Sequence, residues 1–226
     1  MPDGLAPRCP GGVSLENVSR RFGKTAIFRD VSARVEPGEV LGITGRNGSG
    51  KTSLLRLVAG SLTPDSGKIE VGGEPPGRGL AAYIPAGDRA LHWRLTGFQN
   101  LVFFARIAGV PKNELSGRIH AAAYSTGALE LLTKQVGTCS TGQRRRLMVA
   151  RGLVMASPVL LIDEPFADLD QDGIAEVSAA IRRWTTDGGA VLFASPASEH
   201  GPHSDLLLRL HDGDRWEIER ASVVRW

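Results

Sequence analysis

A lysine and a threonine placed behind a run of glycines have the make-up to hold a chain of phosphates. Gly45-Arg46-Asn47-Gly48-Ser49-Gly50-Lys51-Thr52 is such a run, and Ser53 follows it. Glycines let successive backbone N–H groups turn inward around an anion. A helix opening at the end of the loop adds the partial positive charge of its N-terminus. In that arrangement Lys51 reaches the β and γ phosphates, and the Thr52 hydroxyl ligates Mg²⁺. A second group completes the chemistry. Asp163-Glu164 closes the apolar run Val159-Leu160-Leu161-Ile162. A phosphate-binding loop needs a carboxylate for its metal, and Asp163 at a strand end fits that role. Adjacent residues at a strand end point in different directions, so Glu164 can face an attacking water and polarise it for in-line attack on the γ-phosphate.

These residues need particular elements to position them. Val40-Leu41-Gly42-Ile43 reads as a buried strand before the loop, and residues 53–60 read as the helix after it. Residues 13–22 alternate apolar and polar, and with residues 26–35 they predict an antiparallel hairpin ahead of the nucleotide strand. Residues 68–71 and 80–85 are short strands, the second stopped by Pro85. From Arg94 to about Leu132 apolar residues recur at helical spacing, which predicts an inserted helical subdomain over about 94–145. Residues 144–155 and 174–184 read as helices, Val159-Leu160-Leu161-Ile162 and residues 190–194 as buried strands, and residues 206–218 as a hairpin turning at Asp212-Gly213. The fold class this predicts is α/β: a P-loop NTPase core with a mixed sheet, an N-terminal antiparallel β subdomain and an inserted α-helical subdomain. Residues 1–12, rich in Pro and Gly, read as a loose tail ahead of a single domain over 13–226.

Composition sets the outer limits. With 226 residues there is room for one domain with a subdomain, and 42% hydrophobic content supplies a core while falling short of a membrane protein. No apolar run is long enough to span a bilayer, and Met1-Pro2-Asp3-Gly4 lacks the start of a signal peptide, so a cytoplasmic location is expected. Cys9 and Cys139 lack metal-ligand spacing and read as ordinary thiols. The net charge of +3 is mild, and no nucleic-acid partner is expected. Arg144-Arg145-Arg146, the densest basic run, reads as a solvated helix face.

Taken in order, residues 45–52, Ser140-Thr141-Gly142-Gln143, Leu160-Leu161-Ile162-Asp163-Glu164-Pro165 and Ala167-Asp168-Leu169-Asp170 resemble an ATP-binding cassette (ABC) ATPase, from about Val13 to Glu219. The resemblance implies that the chain binds ATP and Mg²⁺. It implies that Ser140, Thr141, Gly142 and Gln143 form a signature loop contacting ATP held by a second ABC subunit, in a homo- or heterodimer. It further implies that Asp170 is the D-loop aspartate and that Phe22 stacks on adenine. The partner implied beyond the dimer is an integral membrane permease, with the cassette peripheral on the inner face of the membrane. The signature departs from the usual pattern at Thr141 and at Cys139. The segment over residues 95–106 resembles exporter-type ATPases. Asp163-Glu164-Pro165-Phe166 with Asp170-Gln171-Asp172-Gly173, and the later Gly188-Gly189, are similar to the haem-exporter ATPases of cytochrome c maturation, with multidrug and polysaccharide exporters as close rivals.

Two positions break the family pattern. Ala86 stands where the family usually has the Gln that senses Mg²⁺ and the attacking water, and Pro196 stands where it has the His that contacts the γ-phosphate. Neither residue has a polar side-chain group. His200, one helical turn on, and Gln99, inside the helical insert, are poor substitutes. Three readings stay open: a transporter ATPase, a slowly hydrolysing or regulatory cassette beside a more complete partner, and a soluble single-cassette ATPase of the iron–sulfur assembly type.

Overall fold

All six residues of β3 (Val40–Gly45) and all five of β6 (Val159–Asp163) are buried, and so are the first six of β7 (Ala190–Pro196). Apolar runs without alternation suit strands covered on both faces, and these three form the middle of one sheet. The computed structural model describes residues 5–196, 204–211 and 215–220. Its larger sheet has the order β5-β6-β7-β3-β8-β9, with β5 at Ala81–Ile84, β8 at Leu206–Leu210 and β9 at Trp216–Arg220. The pairs from β5 to β8 are parallel, and β9 runs antiparallel to β8, which makes the sheet mixed. The turn expected at Asp212-Gly213 lies outside the described residues, as does His200.

The second sheet is antiparallel, in the order β2-β1-β4, built from β1 (Val13–Phe22), β2 (Thr25–Val35) and β4 (Ser66–Val71). The expected hairpin is there, and the strand after the first helix joins its open edge. Val13, Leu15 and Val18 of β1 turn inward onto Leu41, Ile43 and the apolar face of α1 (Lys51–Val58), forming one core. The other face of the large sheet is covered by α4 (Thr141–Val154) and α5 (Gln171–Thr186), where a second core runs out into the insert. That insert holds α2 (Gly97–Ile107), α3 (Leu115–Ser125) and two short 3₁₀ turns, Leu129–Leu132 and Val136–Thr138, with no strand in it. The fold is that of an α/β cassette with an antiparallel β subdomain.

Residues 5–12, expected as a loose tail, carry contacts from Leu5 onward. Leu5 is buried in the second core. Arg8 donates through its backbone to Ala156 at 3.2 Å, and through its guanidinium to the carbonyls of Ala108 at 3.2 Å and Gly109 at 2.7 Å. Gly11 donates to Gly188 at 3.1 Å, and Arg118 to Ala6 at 3.1 Å. The segment therefore crosses the ends of α2, α4 and α5 and ties the helical insert to the sheet.

Candidate functional site

β3 ends at Gly45 and α1 begins at Lys51, so the loop sits between a buried strand and a helix N-terminus. The helix starts two residues earlier than its apolar spacing suggests, because Gly50 itself caps it at φ 101°, ψ 4°. That left-handed conformation favours glycine. A Cβ at Gly50 would also overlap Ile27 Cγ2 and come within 2.9 Å of Phe28 Cδ1, since β2 passes directly beneath the loop. Gly50→Ala therefore combines backbone strain of about 1–2 kcal/mol with a clash against β2. We expect it to weaken ATP binding by at least ~10-fold, the equivalent of about 1.4 kcal/mol. Titration with a fluorescent ATP analogue checks this, and an unchanged affinity would show that the loop tolerates the displacement.

Lys51 is 8% exposed. Its Nζ donates to the carbonyls of Gly45 at 2.7 Å and Arg46 at 2.9 Å, so the ammonium lies curled inside the loop. Burial pushes the Lys51 amine below its ordinary value, while the charges of Asp163 and Glu164 oppose that shift. The Ser49 hydroxyl is buried in the same loop without a hydrogen-bond partner. An orphaned donor beside a captive ammonium is a polar cradle of the kind a phosphate oxygen satisfies.

Asp163 is buried at the last position of β6, and the Thr52 hydroxyl donates to its Oδ2 at 2.7 Å. A hydroxyl and a carboxylate converging at the loop are hard oxygen donors of the type Mg²⁺ takes, so the pair fits that ion. Glu164 leaves the strand differently. Its N–H donates to Ala194 of β7 at 2.8 Å, and its φ is 56°. This left-handed backbone at a non-glycine residue turns Glu164 off the strand path, and strained positions of this kind cluster at functional sites.

The positions without polar groups lie beside this centre. Pro196 pairs in register with Gly45 across β7 and β3, next to the first residue of the loop. Ala86 is exposed two residues beyond β5, whose last residue, Ile84, pairs with Ile162. Gln99 is committed elsewhere: its Oε1 accepts from the Thr96 backbone at 2.9 Å as half of the capping box that opens α2.

Ser140 caps α4. Its hydroxyl accepts from the Gln143 N–H at 3.2 Å, and its own N–H donates to Gln143 Oε1 at 3.0 Å. This reciprocal box starts the helix at Thr141 rather than at Arg144, and it leaves Ser140 and Thr141 on the surface. Gly142 is held against the Asp168 carbonyl, where a Cβ would stand 2.7 Å from the oxygen. Asp170 caps α5 by accepting from the Gly173 N–H at 2.8 Å. That hydrogen bond first, and then Arg146 at 3.2 Å, hold its carboxyl below the usual range. Phe22 is 51% exposed at the end of β1, with the Arg20 guanidinium 4.9 Å from its ring centroid.

The arginine run is not a solvated face. Arg144 pairs with Asp88 and donates to the Cys139 carbonyl. Arg146 bridges Glu176 at 2.7 Å, Asp170 at 3.2 Å and the Gly127 carbonyl at 3.2 Å. Arg145 is 4% exposed and reaches the carbonyls of Pro85, Asp163 and Glu164. Three consecutive helical residues span about 200° of circumference, so one of them had to face inward. That signal was in the sequence.

A mixed sheet with a parallel centre of this order, with a glycine loop feeding Lys51 and Thr52 into the helix after β3 and an acid at the end of β6, defines a P-loop nucleotide-binding ATPase. The sequence model of the ABC transporter family matches residues 28–167, well over half of the chain, which belongs to that family. The chain is 31% identical to the ABC transporter ATP-binding protein NatA of Bacillus subtilis, over 89% of this chain and 87% of that protein. It is 36% identical to the cytochrome c biogenesis ATP-binding export protein CcmA of Agrobacterium fabrum, over 81% and 88%. Against the molybdate/tungstate import ATP-binding protein WtpC of Pyrococcus horikoshii it is 34% identical over 78% of this chain, but it spans only about half (52%) of that protein. Among solved structures, an ATP-binding subunit of an ABC transporter superposes with a TM-score of 0.80 at 23% identity, over 89% of this chain and 86% of that one. Among the described residues no helix is long and apolar enough to cross a membrane.

Proposed function

We propose that this chain is the ATP-hydrolysing subunit of a membrane transporter, peripheral on the cytoplasmic face, which closes with a second cassette around MgATP. The observation that carries this reading is the junction of Lys51, Thr52 and Asp163, where the captive ammonium and the 2.7 Å hydroxyl–carboxylate contact meet at one helix N-terminus. Lys51 and the loop N–H groups of residues 45–53 hold the phosphates, and Thr52 and Asp163 hold Mg²⁺. When bound, that ion supplies charge neutralisation at the transferring phosphoryl group. Glu164, turned off the strand, orients the water and takes its proton. Ser140, Thr141, Gly142 and Gln143, exposed or nearly so at the start of α4, and Asp170 at the start of α5 face the nucleotide of the second subunit. The exposed ring of Phe22 stacks on adenine.

Export is the direction we favour, because residues 95–106 resemble exporter-type ATPases and the chain is 36% identical to the export protein CcmA. Ala86 and Pro196 leave the γ-phosphate without two side-chain contacts, and the loss of one such contact commonly costs on the order of 10²–10³ in rate. Hydrolysis by the chain alone is therefore slow, and it rises when the permease or a more complete cassette is present.

Steady-state ATPase assays on the chain alone and with its membrane partner, together with affinity purification from membranes, test both points. The expected turnover of the isolated chain is well below the enzyme median of about 10 s⁻¹. The expected co-purifying protein is integral, with membrane spans of about 20 residues each. Turnover near that median from the chain alone would overturn slow hydrolysis. Recovery of a soluble scaffold in place of a membrane protein would replace the transporter reading with the assembly type.

A further inference from the structure

Arg145 makes a contact set that structural packing alone does not require. It lies in the second turn of α4, and its Nη1 donates to the Pro85 carbonyl at 3.2 Å. Its Nη2 reaches the carbonyls of Asp163 and of Glu164. One guanidinium thus gathers the residue before Ala86 and both acids that follow the apolar run of β6. Only a planar fork of several donors can serve three carbonyls arriving from two strand ends. Burial pushes this guanidinium below its ordinary value, opposed by the charges of Glu164, Asp163 and Asp168, so it also sits as a counter-charge among three carboxylates.

Glu164 needs an anchor. Its φ of 56° is a conformation that persists only where surrounding groups hold it. Three hydrogen bonds do so here: its N–H donates to Ala194 at 2.8 Å, and its carbonyl accepts from the Ala167 N–H at 3.3 Å and from Arg145. The first ties it to the sheet, the second closes the local turn, and the third ties it to the helix whose N-terminus is Ser140. We propose that Arg145 is a positioning residue for ATP hydrolysis: it fixes the backbone of Glu164, and hence the aim of its carboxylate, relative to the Pro85-Ala86 segment and α4. With no polar side chain at position 86 or 196, the clamp acts through the backbone where the family pattern uses side chains. The inference rests on the reading of this chain as an ATPase.

The test uses the full chain with Arg145→Lys and Arg145→Gln, alone and combined with Glu164→Gln. Lysine keeps the charge and loses the fork. The expected result is a fall in kcat of at least ~10-fold in both single variants, with KM and the Kd for a fluorescent ATP analogue within about 2-fold of wild type. Because Arg145 acts through Glu164, adding Arg145→Lys to Glu164→Gln should bring no further loss. A kcat within 2-fold of wild type for Arg145→Lys overturns the inference, as does a loss that adds fully to that of Glu164→Gln. So does a parallel collapse of ATP affinity, which marks a packing role. Arg145→Lys decides the matter if the glutamine variant fails to fold. A wild-type chain whose turnover equals that of its Glu164→Gln variant overturns the hydrolysis reading itself. Wild-type turnover matched by Arg145→Lys overturns the clamp alone.

Discussion

Lys51→Ala is expected to abolish measurable ATP binding. The side chain does two things at once. Its ammonium is fed into residues 45–52 from the helix start, where two loop carbonyls at 2.7 and 2.9 Å already position it. It also holds the shape of the loop, because those carbonyls belong to Gly45 and Arg46, the residues that must turn for their neighbours' N–H groups to face an anion. Charge-assisted hydrogen bonds contribute about 1.5–3 kcal/mol each, so losing contacts to two phosphates implies a weakening of roughly 100-fold or more. Equilibrium titration with a fluorescent ATP analogue measures it. Lys51→Met separates loss of the ammonium from loss of side-chain volume, since it restores apolar volume without the charge or its donors. If Lys51→Met bound ATP within a few-fold of wild type, the ammonium would be needed neither as a loop staple nor as a phosphate ligand.

Glu164→Gln is the second large effect and should have the opposite signature. Glutamine keeps the shape of the side chain and the backbone contacts at this position, but it cannot accept a proton from water. General-base catalysis contributes typically about 10²–10⁴-fold, so kcat should drop by that order while ATP affinity remains. A cassette that binds and does not cleave should accumulate as a nucleotide-bound pair, visible as an ATP-dependent shift to dimer in size-exclusion chromatography. Single-turnover measurements separate slow chemistry from slow release. An unchanged rate would remove Glu164 from the chemistry and leave Asp163 as the acid that matters.

The candidate site was readable in the sequence to the extent that it is local. Lys51 and Thr52 are set by eight consecutive residues and the two elements flanking them, and Asp163 by four apolar residues before it, so spacing alone placed them. The central strands were legible for the same reason, as unbroken apolar runs. The starts of α1 and α4 were misplaced because caps, not apolar periodicity, set them: a left-handed Gly50 in one case and the Ser140–Gln143 box in the other. The pairing of β4 with β1 was not legible, since Ser66–Val71 shows a strand pattern but nothing in it names a partner. The direction of Arg145 depends on where the ends of β5 and β6 lie, sixty and eighteen residues away along the chain. Residues 5–12 look loose by composition because Pro and Gly are common in loops, and their order comes entirely from distant groups.

That last segment sets a schedule for biosynthesis. Arg8 bonds residues one hundred and more positions further along, and Leu5 and Ala6 wait for Arg118. At about 5–20 residues per second, on the order of 5–20 s of translation separates these groups from their partners. During that interval Leu5 has no core to enter, and the β1–β2 hairpin can form without it. The helical insert is then fastened to the sheet late, by residues that left the ribosome early.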